Sequence, residues 1–338
     1  MDARKLLISA LGMGITALVG LGCIETSATP TPLPMVTSGD TPPRVEKLDV
    51  GLAAPTHLES DGVSIWVSSV GRPEELNTAV RRFGLDGREM GSFEIGETPG
   101  DVLFDGENVW VANLGTPAEP GNSVVKMSGE GVELGVYEVG ASPFAMTFDG
   151  ENLWIANPTE DTVTKISGGG AHLGTFEVGD GPSALAFDGE HVWVANMGSP
   201  SSEGNTVQKL DGGGRVAAEY EVGVRPIALA FDGSSMWIAN SGPLEDDQAD
   251  FVTRLALDGA GLGQFRVGNG PVDILFDGES IWVANAGSNN VMRLSSTGLR
   301  LGKFDVDTGP VSLAFDGEDV WVANVEGGTL SKILLGGE

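Results

Sequence analysis

The stretch FDGENLWIAN, Phe148 to Asn157, decides the fold, because near-copies of it surround every tryptophan in the chain. The seven tryptophans are Trp66, Trp110, Trp154, Trp193, Trp237, Trp282 and Trp321, and their spacings are 44, 44, 39, 44, 45 and 39 residues. A period near forty with glycine-rich turns and short apolar stretches is the mark of a radial all-β array. Working outward from the central copy, Pro143 to Phe148 reads as a first strand and Asp149-Gly150 as a tight turn that needs positive φ. Leu153 to Asn157 reads as the second strand, the segment with Val163 and Lys165 as the third, and Leu173 to Val178 as the fourth.

Counting strands predicts how the ring closes. Six blades are complete between Pro55 and Val306, whereas the seventh, opening at Pro310, stops after three strands near Leu335. The segment VEKLDV, Val45 to Val50, reads like the fourth strands and precedes the first blade. The expected fold is therefore all-β: a seven-bladed propeller over residues 44–338, with four-stranded blades and the 45–50 strand completing the last. Pairing the chain ends removes a sheet edge that would otherwise template aggregation.

Composition narrows the function. The formal net charge is -29, from 48 acidic and 19 basic residues, which argues against the clustered cations that phosphate-backbone binding needs. Nucleic acid is not an expected partner, and the charge favours a soluble monomer. With a single cysteine there is no intrachain disulfide and no cysteine zinc site.

Residues 1–22 read as an export signal, with Arg4 and Lys5 ahead of an uncharged apolar run from Leu6 to Leu21. Gly20-Leu21-Gly22-Cys23 resembles a bacterial lipobox, although Gly20 stands where leucine is expected. That resemblance implies lipidation of Cys23 and membrane attachment through the lipid alone; a simple cleaved signal and a secreted protein is the alternative. Residues 23–43 are a Pro/Thr/Ser-rich tether that cannot bury a core.

Over residues 45–338 the repeats resemble the bacterial propellers grouped with YVTN, NHL and streptogramin (virginiamycin B) lyase repeats. The carrying motifs are Phe-Asp-Gly-Glu-x-Val-Trp-Val-Ala-Asn, Thr-Val-x-Lys-Leu and Leu-Gly-x-Phe-x-Val-Gly-x-x-Pro. The resemblance implies the fold, while the group's functions range from enzymes to surface proteins. Streptogramin lyases carry Trp-Phe-Thr-Glu where this chain has Trp-Val-Ala-Asn, and they use histidine and glutamate with magnesium. Of the three histidines, His172 falls on a fourth strand and His191 at an Asp-Gly turn, so His57 is the one candidate catalytic residue. A gluconolactonase-like site would need a Glu/Asn/Asp metal set, for which Glu59, Asp101 and Asp273 are the candidates.

Residues that recur once per blade point to folding rather than chemistry. The series are the turn aspartates Asp61, Asp105, Asp149, Asp188, Asp232, Asp277 and Asp316; the strand-ending asparagines from Asn113 to Asn324, with Ser69 in the first blade; and one cation per third strand, Arg82, Lys126, Lys165, Lys209, Arg254, Arg293 and Lys332. The asparagines are expected to cap strands or bond neighbouring backbone. The cations are expected to pair with carboxylates of their own or the next blade.

Function is sought where the symmetry breaks. The second residue after each blade-opening proline reads His57, Asp101, Ala145, Ala184, Ala228, Asp273 and Ser312, so polar residues gather on adjacent blades six, seven, one and two. With Glu59, Glu97 and Asp307 they make a carboxylate-rich arc at the channel mouth. Such oxygen-rich groups suit calcium or magnesium, and a histidine beside carboxylates suits general-base chemistry.

The second-to-third-strand loops are long in blades one, two, four and five: GRPEELNTA, GTPAEPGNS, GSPSSEGNT and GPLEDDQADF. Long loops on one face of a rigid scaffold are where binding resides. Glu74, Glu75, Glu97, Glu119, Glu245, Asp246 and Asp247 mark this face. Two functions remain: a tethered module binding a protein, peptide or glycan through the loop face, or a divalent-metal-dependent lyase or lactone hydrolase at the channel mouth.

Overall fold

A computed structural model describes residues 44–336 except 73–74, 97, 117, 200 and 243–249. The export signal, the tether with Cys23, and Glu74, Glu97, Glu245, Asp246 and Asp247 lie outside the described residues. Seven four-stranded antiparallel sheets form the seven blades. The ring closes as the strand count requires: Arg44–Leu48 pairs antiparallel with Thr329–Leu334, placing Val45 opposite Ile333 and Lys47 opposite Ser331. Lys47 Nζ adds an ion pair of 2.6 Å to Asp307, which also accepts a hydrogen bond from the Thr329 hydroxyl. Asp307 therefore serves the closure seam and is absent from the lining of the axial cavity, contrary to its expected place in the channel arc.

The repeat phrase is a packing unit built around each fully buried tryptophan. Its Nε1 donates to Oδ2 of the turn aspartate five residues earlier at 2.7–2.8 Å in all seven blades. The same carboxylates take main-chain N–H bonds inside the Asp-Gly turn, as Asp149 Oδ1 does from Glu151 and Asn152. A buried indole N–H left unpaired would cost about 1–3 kcal/mol, so the aspartate is fixed by the tryptophan.

Directly across from each tryptophan on the third strand sits the cation of that blade, at 4.5–5.5 Å from the ring centroid. Six of the seven cations pair with their own turn aspartate at 3.6–4.0 Å, and Arg293 pairs with Glu279. The expected pairing with own-blade carboxylates is present; the link to the next blade runs instead through its carbonyls. Lys126, Lys165, Lys209 and Lys332 donate to Gly168, Gly212, Leu257 and Leu85.

The three arginines instead donate through Nε to Ser64, Ser235 and Ser280, the residues two before their tryptophans. At that position the lysine blades carry Asn108, Asn152, His191 and Asp319. Serine and arginine thus occur together, because the short hydroxyl accepts the guanidinium Nε within the blade.

The strand-ending asparagines mostly reach the hydroxyls of the third strand, as Asn157 does with Thr164 at 2.9 Å and Asn324 with Ser331 at 2.9 Å. Cross-strand bonding, more than the expected capping, is their role. One left-handed residue precedes each blade-opening proline: Gly181, Gly270 and Gly309 in three blades, but Ala54, Thr98, Ser142 and Arg225 at φ 52–56° in the others.

Candidate functional site

The first strands of all seven blades surround a cavity of about 260 Å³ on the axis. His57, Glu59, Asp101 and Asp273 all line it, so the structure brings together the four residues singled out at the channel. Their arrangement serves a structural purpose. Asp101 Oδ1 accepts the N–H of Val102 at 2.9 Å, and its Oδ2 accepts the N–H of Met146 in blade three at 2.8 Å. Asp273 repeats this with Ile274 at 2.8 Å and Leu313 of blade seven at 2.7 Å.

Ser312 accepts the N–H of Leu58 in blade one, and Glu59 accepts that of Phe104 in blade two. The polar arc therefore links blades six, seven, one, two and three in sequence, each inner strand being held by a side chain of the blade before it. Inner strands are sheet edges with spare N–H groups, and these side chains satisfy some of them. Across the cavity, Ser183 makes a different link, donating to the carbonyl of Pro226 in blade five.

Desolvation at the cavity wall shifts the ionisation of this arc. Burial pushes the carboxyl of Glu59 up to about 8 and those of Asp101 and Asp273 up to about 7, against the opposing pull of the N–H bonds they accept. Burial also depresses His57 to about 4, leaving it a neutral imidazole at physiological pH. Among the described residues His57 Nδ1 finds no hydrogen-bond partner. Its ring meets Phe144 of blade three edge-on, with centroids 5.9 Å apart.

A divalent metal is not matched by these donors. Among the described residues no group of three or more His, Cys, Asp or Glu side chains could hold a metal ion. Glu59, Asp101 and Asp273 share a cavity without sharing a coordination point, since each is drawn towards the backbone of a different neighbouring blade.

The loop face differs from its expected form. In blades two and four the insertions continue the sheet as ribbons: Asn108–Gly115 pairs with Pro120–Ser128, and Val192–Ser199 with Ser202–Leu210. Blade one forms a separate two-stranded hairpin, Gly71–Arg72 with Glu75–Leu76, which contains Glu75. Exposed Glu119 lies in the tip of the blade-two ribbon, where its N–H bonds the Thr116 hydroxyl. Blade three has only the turn between Asn157 and Thr162. At the ribbon bases Leu114 and Met197 are buried in one cluster with Phe144 and Ile227, so the ribbons are anchored beside the cavity wall.

Sequence reasoning missed Phe144 and Arg225. Phe144 follows a blade-opening proline, where the other blades have Thr56, Gly100, Ser183, Ile227, Val272 and Val311, and an aromatic there is unique within the chain. Arg225 is 1% exposed, the one charged residue among the seven left-handed positions. Aligning the blades against one another would have exposed both.

No protein-family model matches the chain, and no curated protein matches it. Solved structures do. A streptogramin B lyase is similar over 86% of this chain and 97% of its own, at 16% identity and a TM-score of 0.70. The virginiamycin B lyase of Staphylococcus aureus is similar over 87% and 99%, at 17% identity and a TM-score of 0.68. The WD40 domain of Neurospora crassa Pan2 is similar over 90% and 98%, at 12% identity and a TM-score of 0.69. A likeness shared at such low identity by a lyase and a WD40 domain shows that the chain has the propeller fold, and that fold alone.

Proposed function

We propose that this protein is an extracytoplasmic propeller, tethered to a membrane through Cys23, that acts as a binding module for a protein, peptide or glycan. Binding takes place on the face carrying the second-to-third-strand connections. One observation carries this reading: the blades repeat the same Asp–Trp–cation unit, yet on this face blades two and four extend into paired ribbons while blade three keeps a short turn. Projections of this kind on a rigid ring are what binding scaffolds vary. The acidic groups at the axis, by contrast, are engaged in holding inner strands together.

The alternative is a lyase or lactone hydrolase at the channel mouth. Its support is the set of proton-bearing carboxyls beside a neutral imidazole, the kind of perturbed ionisation that active sites use. The donors do not fit a divalent metal, so no metal-assisted step is assigned to them.

The two readings are separated by replacing residues 115–122 of the blade-two ribbon and 198–205 of the blade-four ribbon with the blade-three turn Pro158-Thr159-Glu160-Asp161. Binding to an array of bacterial surface glycans and peptides is compared with that of an Asp101→Ala, Asp273→Ala variant. Loss of binding in the ribbon replacements and retention in the axial variant is the expected outcome. The opposite pattern, in folded proteins, would overturn the binding-face reading.

A further inference from the structure

We infer that the axial cavity is a second binding site, separate from the ribbon face, for a small organic cation: a primary amine on a short apolar body. The wall of the cavity is sorted by chemistry. His57, Glu59, Asp101, Asp273 and Ser312 line the side formed by blades six, seven, one and two. On blades three, four and five Ala145, Ala184 and Ala228 stand two residues after the blade-opening proline, and the one polar side chain there, Ser183, has its hydroxyl engaged by the Pro226 carbonyl. An ionised carboxylate offers about four acceptor positions. Main-chain N–H groups take two at Asp101, two at Asp273 and one at Glu59, so acceptor capacity remains at all three.

Among the described residues no lysine or arginine lines the cavity to neutralise these groups. The unpartnered Nδ1 of His57 is a further polar atom on the same wall. Because the carboxyls hold different blades together, they are dispersed around the wall and do not converge on a metal. An ammonium does not need that convergence, because one carboxylate with a spare acceptor position is enough to pair with it, whereas calcium or magnesium needs several oxygens at once. The alanine side, with Phe144 at its edge, receives the apolar body. Benzene fills an engineered cavity of about 150 Å³, so 260 Å³ admits an aryl or alkyl amine somewhat larger than benzene.

Ionisation gives the site a signature. Among the described residues the titratable groups facing the cavity are His57, Glu59, Asp101 and Asp273. Below neutral pH the three carboxyls carry protons and the histidine is neutral until about pH 4, so the wall attracts a cation weakly. Above about pH 8 the carboxyls ionise and the attraction grows. Across the interval between, uptake of an ammonium drives protons off the carboxyls.

The test is calorimetric titration of the purified protein with phenethylamine, and with 2-phenylethanol as its neutral counterpart, at pH 8.5 and pH 5.5. The amine is expected to bind at least tenfold more tightly at pH 8.5 and, in buffers of different ionisation heat at pH 7.5, to release protons, while the alcohol shows no measurable binding. Asp101→Asn with Asp273→Asn, which keeps a carbonyl oxygen for each N–H, is expected to weaken the amine at least tenfold. Ala228→Leu, which fills the apolar side and alters no charge, is expected to do the same and serves if the paired variant does not fold. Equal binding of amine and alcohol, no binding of the amine at pH 8.5, or amine binding unchanged in Ala228→Leu would each overturn the proposal. The ribbon replacements should leave amine affinity unchanged, so this site and the ribbon face stand or fall separately.

Discussion

Substituting alanine at two glycines of similar backbone geometry separates turn strain from the packing of one blade on the next. Gly150, in the Asp-Gly turn of blade three, has φ 93° and nothing within 4 Å of where a Cβ would stand. Gly170, in the third-to-fourth-strand turn of the same blade, has φ 85°, but its Cβ would stand 1.8 Å from a ring carbon of Tyr137 in blade two. Tyr137 packs against Trp110, with ring centroids 5.6 Å apart. A left-handed conformation costs a non-glycine residue about 1–2 kcal/mol, and the stiffer unfolded chain returns about 0.4–1 kcal/mol. Gly150→Ala should therefore cost about 1 kcal/mol. Gly170→Ala bears the same strain, about 1–3 kcal/mol of overpacking and about 0.5–1.5 kcal/mol for the disturbed aromatic pair, or about 3–5 kcal/mol in all. Urea unfolding followed by tryptophan fluorescence reads the difference as a lower midpoint for Gly170→Ala. In a Tyr137→Ala background, the second substitution should cost no more than Gly150→Ala does. Equal midpoints for the two single variants would refute the claim that glycine-on-aromatic contacts join the blades.

Removing residues 44–50 should lower stability by about 5 kcal/mol or more. The loss includes the five-residue ladder with Thr329–Leu334 and the Lys47–Asp307 pair, at about 1 kcal/mol for each hydrogen bond, together with buried Val50. Limited proteolysis should then cut first within residues 310–336, and an unchanged cleavage pattern would contradict ring closure as the source of stability there. Stability should also fall as pH rises from about 5 to 8. Glu59, Asp101 and Asp273 hold protons in the folded state up to about pH 8, 7 and 7, while their unfolded-state carboxyls ionise near 4. The folded state thus binds more protons across that window, so its advantage is complete below the unfolded values and is lost as pH passes the folded ones. Each group changes stability by up to about 1.4 kcal/mol per pH unit. Depressed His57 opposes this between about pH 4 and 6.5. Thermal melts at pH 6 and 8.5 should show the drop, and Asp101→Asn with Asp273→Asn should flatten it; a melt independent of pH in the parent protein would contradict the shifts.

What was legible in the sequence is what occurs seven times. Trp154, Asp149 and Lys165 could be placed in strands and turns because six sister sets report the same geometry, and the closing role of Val45 follows from counting strands. The partners within each set were only half legible: a cation two residues after an aliphatic announces a paired charge, but not that it lies over the tryptophan across the ladder. That contact depends on register, which becomes fixed only when second and third strands align. The lysine-to-carbonyl links depend further on the angle between blades, which no single repeat encodes.

At the axis the difficulty is of another kind. His57, Glu59, Asp101 and Asp273 were recognisable as departures from the repeat, and the structure places all four on one cavity. Residue type alone could not distinguish a carboxylate waiting for a ligand from one already accepting N–H groups of the next inner strand, since both need an acidic side chain facing the channel. The distinction rests on distances of 2.7–2.9 Å to Met146, Leu313 and their neighbours. Nor are the roles exclusive, because a carboxylate has more acceptor positions than the two N–H groups use. Blades three, four and five do without an acidic side chain at this position, having alanine there, so a propeller blade does not require the carboxyl in order to form. Where blade formation does not demand an acid that is costly to ionise at the cavity wall, holding strands together accounts for its hydrogen bonds but not for its charge, and the charge is the property that binding an amine would use.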